Sequence, residues 1–258
     1  MLARSPFICT ARTDRCQPSP GALIRGVSDE PRAIHIHPTA PLAERVLLPG
    51  DPGRALALAG ELLDRPLMFN HNRGLWGYTG GAADGKPLTI QSTGMGGPSA
   101  AIVLEELISL GARRMIRVGT AGALDGSLGL GELLIVEQAL AADGTSRALE
   151  VGDRIAADPQ LLAALGAAAP GVRSGMIASS DLFYELGESR LDAWRTAGAL
   201  AVEMEAAALF AVGQRRGAAV ACVLAITDLI GEERERITPA GLAQAGLAVG
   251  RLGASALA

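Results

Sequence analysis

The stretch RVLLPGDPGRALALAGELL, residues 45–63, decides the fold. Arg45-Val-Leu-Leu48 is a short, continuously apolar run of the kind a strand covered on both faces shows. Pro49-Gly-Asp-Pro52 punctuates it as a turn. From Gly53 to Leu63 the apolar residues take helical spacing. A buried strand that turns tightly into a helix is the opening unit of an α/β sheet.

The same alternation continues outward. Leu88–Gln91 reads as a strand, Thr93-Gly-Met-Gly-Gly97 as a turn, and Pro98–Leu110 as a helix with proline at its first position. Met115–Val118 is a strand followed by a second glycine turn, Gly119-Thr-Ala-Gly122. Strands are expected at Leu133–Val136, ending at Met176–Ala178, at Ala199–Val202 and at Ala219–Ile226. Helices are expected at Pro159–Ala168, Leu191–Arg195, Met204–Arg216 and Pro239–Leu257. The expected fold is α/β: a single domain, residues 34–258, with a mixed central sheet flanked by helices on both faces. Residues 1–33 carry Arg4, Arg12, Arg15 and Arg25 among Pro and Ser, with no apolar period. They read as a poorly ordered extension, and their Arg-rich start also fits a transit peptide.

Composition narrows the function. Of 258 residues, 33 are Gly, about 13% against a usual share near 7%. So much glycine with only 3% aromatics points to backbone turns that approach a ligand closely. The net charge of −4 carries no basic footprint, so no nucleic acid is expected. Mean hydropathy is +0.28, yet no apolar run nears the roughly 18 residues of a membrane helix, so no membrane is expected either. Cys9, Cys16 and Cys222 form no CxxC, and the three His give no zinc spacing. A reducing cytoplasm is the expected setting.

Ligands of open α/β sheets bind beyond the carboxyl ends of strands, and five such ends here carry unusual residues. Gly50 offers a bare amide beside Arg54, on the first turn of a helix; the pair suits an oxyanion or phosphate, or is an ordinary turn with a solvated Arg. Gly94-Met-Gly-Gly-Pro-Ser99 approximates a dinucleotide fingerprint but ends in Ser, with no acidic residue at the expected distance. Arg117 lies inside an apolar strand, with Thr120 just after it; such an Arg needs an anion, a ligand's or a structural carboxylate's. Glu205, in Val202-Glu-Met-Glu205, can cap a helix or accept both hydroxyls of a vicinal diol such as ribose. Asp228, ending Ala225-Ile-Thr-Asp228, can be a turn residue or a general acid.

Seven motifs in order, LLPGDPGRA, NRGLWGYTG, QSTGMGGPSA, RVGTAGAL, ASSDLFY, VEMEAAALF and ITD, resemble the nucleoside phosphorylase family of hexameric-type purine nucleoside phosphorylases and uridine phosphorylases. The resemblance spans residues 35 to about 230. It implies phosphate binding by Gly50, Arg54, Arg117 and Thr120, with Arg73 reaching a neighbouring subunit's site. It implies ribose binding by Met204 and Glu205, with His35, or its rival His37, again reaching across. It implies a base pocket of Phe183, Val202, Glu203 and Asp228. Asp228, Arg117 and Arg54 would be the catalytic groups.

The resemblance implies phosphorolysis of purine ribonucleosides, with inorganic phosphate as co-substrate, no cofactor and no metal. Its assembly would be a homo-oligomer, a hexamer built from dimers. The uridine branch carries a Gln-x-Arg pair after Ser-Ser-Asp, absent from Ser179–Glu188, and Thr227-Asp228 matches the purine branch. TGMGGPS and RVGTAGAL also read like the uridine branch. A uridine phosphorylase is thus the alternative, and a hydrolytic nucleosidase is less favoured because water needs no paired Arg54 and Arg117. Arg234 and Arg236 are rival helpers of Asp228.

Overall fold

The computed structural model describes residues 33–184, 187–231 and 234–258. Through residue 32 the expected N-terminal extension lies outside them, with Cys9 and Cys16. The opening unit forms as its sequence dictates. Strand β1 (Arg45–Leu48) is buried at every position and hydrogen-bonds to a parallel strand on each edge. Helix α1 (Pro52–Leu62) starts where the Asp51 carboxylate accepts the Arg54 amide at 2.6 Å and proline takes the first turn.

The chain continues through β2 (Asp64–Asn70), β3 (Gly77–Gly81), β4 (Pro87–Gln91), α2 (Gly97–Ser109), β5 (Arg114–Ala123), β6 (Leu133–Ala142) and α3 (Gly144–Ala148). Then follow β7 (Arg154–Ala156), α4 (Pro159–Ala168), β8 (Arg173–Ser180), α5 (Glu188–Thr196), β9 (Ala201–Glu203) and α6 (Ala206–Arg216). The chain closes with β10 (Ala219–Leu229), β11 (Glu235–Arg236) and α7 (Pro239–Leu257). The eleven strands among the described residues form one mixed sheet. Pairings of β5 with β10, β10 with β6, β6 with β8, β8 with β9 and β9 with β5 close a ring. From β5 the sheet extends outward through β1, β4, β3 and β2. Helices α1, α4 and α7 pack on one side and α2, α3 and α6 on the other, so the central strands are buried on both faces.

Three expectations are corrected. Gly119–Gly122 is not a turn: it continues β5, with Gly119 opposite Leu224 and Gly122 opposite both Asp228 and Val202. Its glycines serve close packing, since a Cβ at Gly119 would stand 2.9 Å from the Leu224 side chain and one at Gly122 2.7 Å from Ile230. Secondly, α6 begins at Ala206 rather than Met204, leaving Met204 and Glu205 in an irregular link. Thirdly, β2, β3, β7, β11 and α3 were not expected. β2 is exposed from Asp64 to Met68 and holds Pro66, and β3 is rich in glycine, so neither shows a strand's apolar period.

Candidate active site

The carboxyl ends of β1, β5 and β10 meet the β4–α2 turn and the β9–α6 link around a cavity of about 360 Å³. That volume suits a small organic ligand. The cavity is lined by Gly50, Arg54, Arg117, Thr120, Phe183, Val202, Glu203, Met204, Glu205 and Asp228, all singled out from the sequence.

Arg117 organises its floor. Nε donates to Glu203 at 2.9 Å and Nη2 pairs with Glu205, so two buried carboxylates hold the buried guanidinium. Burial alone would lower its pKa, but Glu205 and Glu203 hold it above the ordinary arginine value. Nη1 is buried and meets no acceptor. Beside it is Gly50, where a Cβ would stand 3.8 Å from Nη1 and 3.2 Å from the Gly94 carbonyl oxygen. Arg54, on the first turn of α1, lines the same end of the cavity; burial, then the neighbouring Arg117, lower its pKa. Two guanidinium groups beside a helix N-terminus, one of them with an unsatisfied buried donor, make a place for an anion.

Glu203 does what the sequence allowed for Glu205. Its carboxylate accepts the amides of Glu205 and Ala206, each at 2.9 Å, and so caps α6. It also accepts the Ser179 hydroxyl at 2.5 Å and Arg117 Nε, which engages both oxygens. Glu205 caps nothing. Its Oε1 accepts the Gly96 amide at 2.6 Å from a turn whose Gly94 and Gly96 have φ of 75° and 86°, where L side chains are strained. Burial pushes its carboxyl up, with Arg117 opposing.

At the opposite wall, a register shift between Ile226 and Asp228 makes Thr227 an extra residue against β5. This bulge breaks the alternation of β10 and turns Asp228 into the cavity. The Thr227 hydroxyl donates to Asp228 Oδ2 at 3.0 Å. Arg234 Nε and Arg236 Nε stand 3.0 and 2.8 Å from Oδ1, so both rival arginines reach Asp228. Arg234 also lies 4.5 Å from the ring centroid of Phe183, a cation–π contact at the cavity mouth.

His35 and Arg73 do not line the cavity. His35 Nδ1 lies 2.7 Å from Glu106, and His37 Nε2 lies 3.0 Å from the Ile34 carbonyl oxygen. Arg73 is exposed in the short turn after β2. The resemblance assigns both His35 and Arg73 to a neighbouring subunit's site. Sequence reasoning passed over Met95, Leu182 and Ile230, which line the cavity, and Ser179, which fixes Glu203. Ser179 and Leu182 lie in the ASSDLFY motif and Met95 in QSTGMGGPSA, but no signal in those motifs gave them a role, and Ile230 lies in none. Among the described residues no cluster of three or more His, Cys, Asp or Glu is placed to hold a metal ion.

Fold and cavity together are those of an α/β enzyme that takes an anion and a polar organic ligand side by side. The chain belongs to the phosphorylase superfamily, whose family model matches residues 44–252. It is 36% identical over 201 residues to a DeoD-type purine nucleoside phosphorylase of Clostridium novyi, covering 74% of this chain and 86% of that one. It is 38% identical over 179 residues to a guanosine phosphorylase of Halorubrum lacusprofundi, covering 67% and 73%. Among solved structures, a uridine phosphorylase from Vibrio fischeri, complexed with 6-hydroxy-1-naphthoic acid, superposes with a TM-score of 0.75 at 29% identity. It covers 84% of this chain and 91% of that one.

Proposed function

We propose that the protein catalyses phosphorolysis of purine ribonucleosides, releasing the free base and ribose 1-phosphate. The observation that carries this reading is the unsatisfied Arg117 Nη1, buried beside Gly50 at the end where Arg54 also stands. Phosphate is the anion for that place. Arg54, Arg117, Thr120 and the Gly50 amide hold it, so that one oxygen attacks C1′ of the ribose. Met204 and Glu205 take the sugar, Glu205 accepting from its vicinal hydroxyls. Val202 and Phe183 take the base, and Glu203 secures the wall beneath it.

The glycosidic electrons pass to the purine as the bond breaks through an oxocarbenium-like state. Asp228 takes up a proton from water and passes it to N7, and Arg234 and Arg236 stabilise the carboxylate that results. Fixed guanidinium groups position the phosphate and its charge without a metal or organic cofactor. Thr227-Asp228 and the lack of a Gln-x-Arg pair support purine over pyrimidine. The uridine phosphorylase superposition favours the second reading, uridine as substrate in the same site. Two arginines at one anion place argue against hydrolysis. His35 and Arg73 complete a neighbour's site in a hexamer of paired subunits, working in the cytoplasm.

Asp228→Asn and Arg117→Ala, assayed on inosine with phosphate, test the roles. A general acid contributes about 10²–10⁴-fold, so Asp228→Asn is expected to lose rate in that range. Arg117→Ala is expected to lose rate and to raise the KM for phosphate. Wild-type rates in both variants would overturn the assignment.

A further inference from the structure

Glu106 lies outside the cavity, on α2, and is 7% exposed. A buried carboxylate in a helix interior is costly unless donors satisfy it. Here the donors come from a segment far away in sequence. Oε2 accepts the amide of Ile36 at 2.7 Å and that of His35 at 2.9 Å, and Oε1 stands 2.7 Å from His35 Nδ1. Burial pushes the Glu106 carboxyl up, but the His35 ring and these amides outweigh it and hold it below its ordinary value.

The same segment is laced to the turn that carries Arg73. Asn72 Nδ2 donates to the His35 carbonyl at 2.9 Å, and Asn70 Oδ1 accepts the amides of His37 and Asn72 at 2.9 and 3.3 Å. His35 and Arg73 therefore ride on one hydrogen-bonded unit, anchored to α2 through Glu106.

We propose that Glu106 is a positioning residue that fixes the tautomer of His35, holding the proton on Nδ1 and presenting Nε2 as an acceptor. An ionised carboxylate only accepts, so the ring nitrogen facing it must carry hydrogen. This rests on the reading that His35 serves a nucleoside. In Glu106→Gln the side-chain oxygen keeps the two amides satisfied, and its NH₂ faces Nδ1. The ring proton then moves to Nε2, which turns the presented atom from acceptor to donor.

The test uses the full chain labelled with ¹⁵N-histidine. Its three histidines are assigned with His37→Gln and His71→Gln. The expected spectrum shows His35 as the Nδ1–H tautomer, converting to Nε2–H in Glu106→Gln. An Nε2–H wild type, or an unchanged tautomer in the variant, would contradict the proposal. Kinetically, Glu106→Gln is expected to raise the nucleoside KM about tenfold with kcat nearly unchanged, as loss of ground-state binding does. In a His35→Ala background it is expected to add nothing. An equal loss in that background makes Glu106 merely structural and overturns the proposal. Wild-type kinetics in His35→Ala alone would remove the substrate role of His35, while the tautomer comparison still decides what Glu106 does.

Discussion

Arg117 is held by two carboxylates and still has a donor to spare. A structural ion pair would have used every nitrogen, as Arg45 does. Arg45 donates to both Asp84 oxygens at 2.6 Å and to the carbonyls of Pro87, Lys86 and Leu257. The contrast sets Arg45, satisfied at every nitrogen within the fold, against Arg117, to which the proposed function gives the phosphate. The Arg45 hydrogen bonds hold the Asp84 carboxyl at about 2. An unfolded Asp titrates near 3.9, so the folded value is the lower one. The pair's contribution is therefore complete above about pH 4 and is lost as pH falls through about 2. Asp84→Ala is expected to lower the urea midpoint near neutrality, and the gap to wild type should close on acidification. A gap that stays constant with pH would contradict this. The need of Arg117 for an anion was legible in the sequence, because an Arg in an apolar strand is costly. Its simultaneous pairing with Glu203 and Glu205, leaving Nη1 spare, was not, since both carboxylates lie far along the chain.

Elements with strong local signals were legible. The β1–turn–α1 unit and α7 fall where apolar spacing, proline and capping residues place them. β5 was read too short because glycine at 119 and 122 looks like a turn, whereas here it makes room for Leu224 and Ile230. β2 carries no period because it is the exposed edge of the sheet, and β3, inside that edge, because three of its five residues are glycine. Helix α7 uses glycine in the same way as β5. A Cβ at Gly250 would fall 2.1 Å from the Leu58 side chain, which is fully buried, and one at Gly253 would fall 2.7 Å from Val118. Close approach of α7 to α1 and β5 keeps the carboxyl ends of the strands together. Gly250→Val gains slightly in helix propensity but overpacks this seam, and is expected to destabilise by about 2 kcal/mol. Denaturant unfolding measures it, and an unchanged or raised midpoint would contradict the packing account.

At the scale of the molecule, the ring of β5, β10, β6, β8 and β9 brings to one cavity residues that the chain spreads from Gly50 to Asp228. Motif order made this convergence legible beforehand. His35 and Arg73 stay away from the cavity; Arg73 stood in a motif, whereas His35 came from the resemblance with His37 as its rival, and the proposed function gives both a place at a neighbouring subunit. The roles proposed for Arg117, Glu205 and Asp228 lead to one central claim: phosphate, not water, cleaves a purine nucleoside here. The direct measurement is base release from inosine, guanosine, adenosine and uridine, with and without phosphate, with the sugar product analysed. The account predicts purine base and ribose 1-phosphate in equal amounts, only when phosphate is present, and little uracil from uridine. Free ribose formed without phosphate, or uridine cleaved in preference to every purine nucleoside, would contradict it.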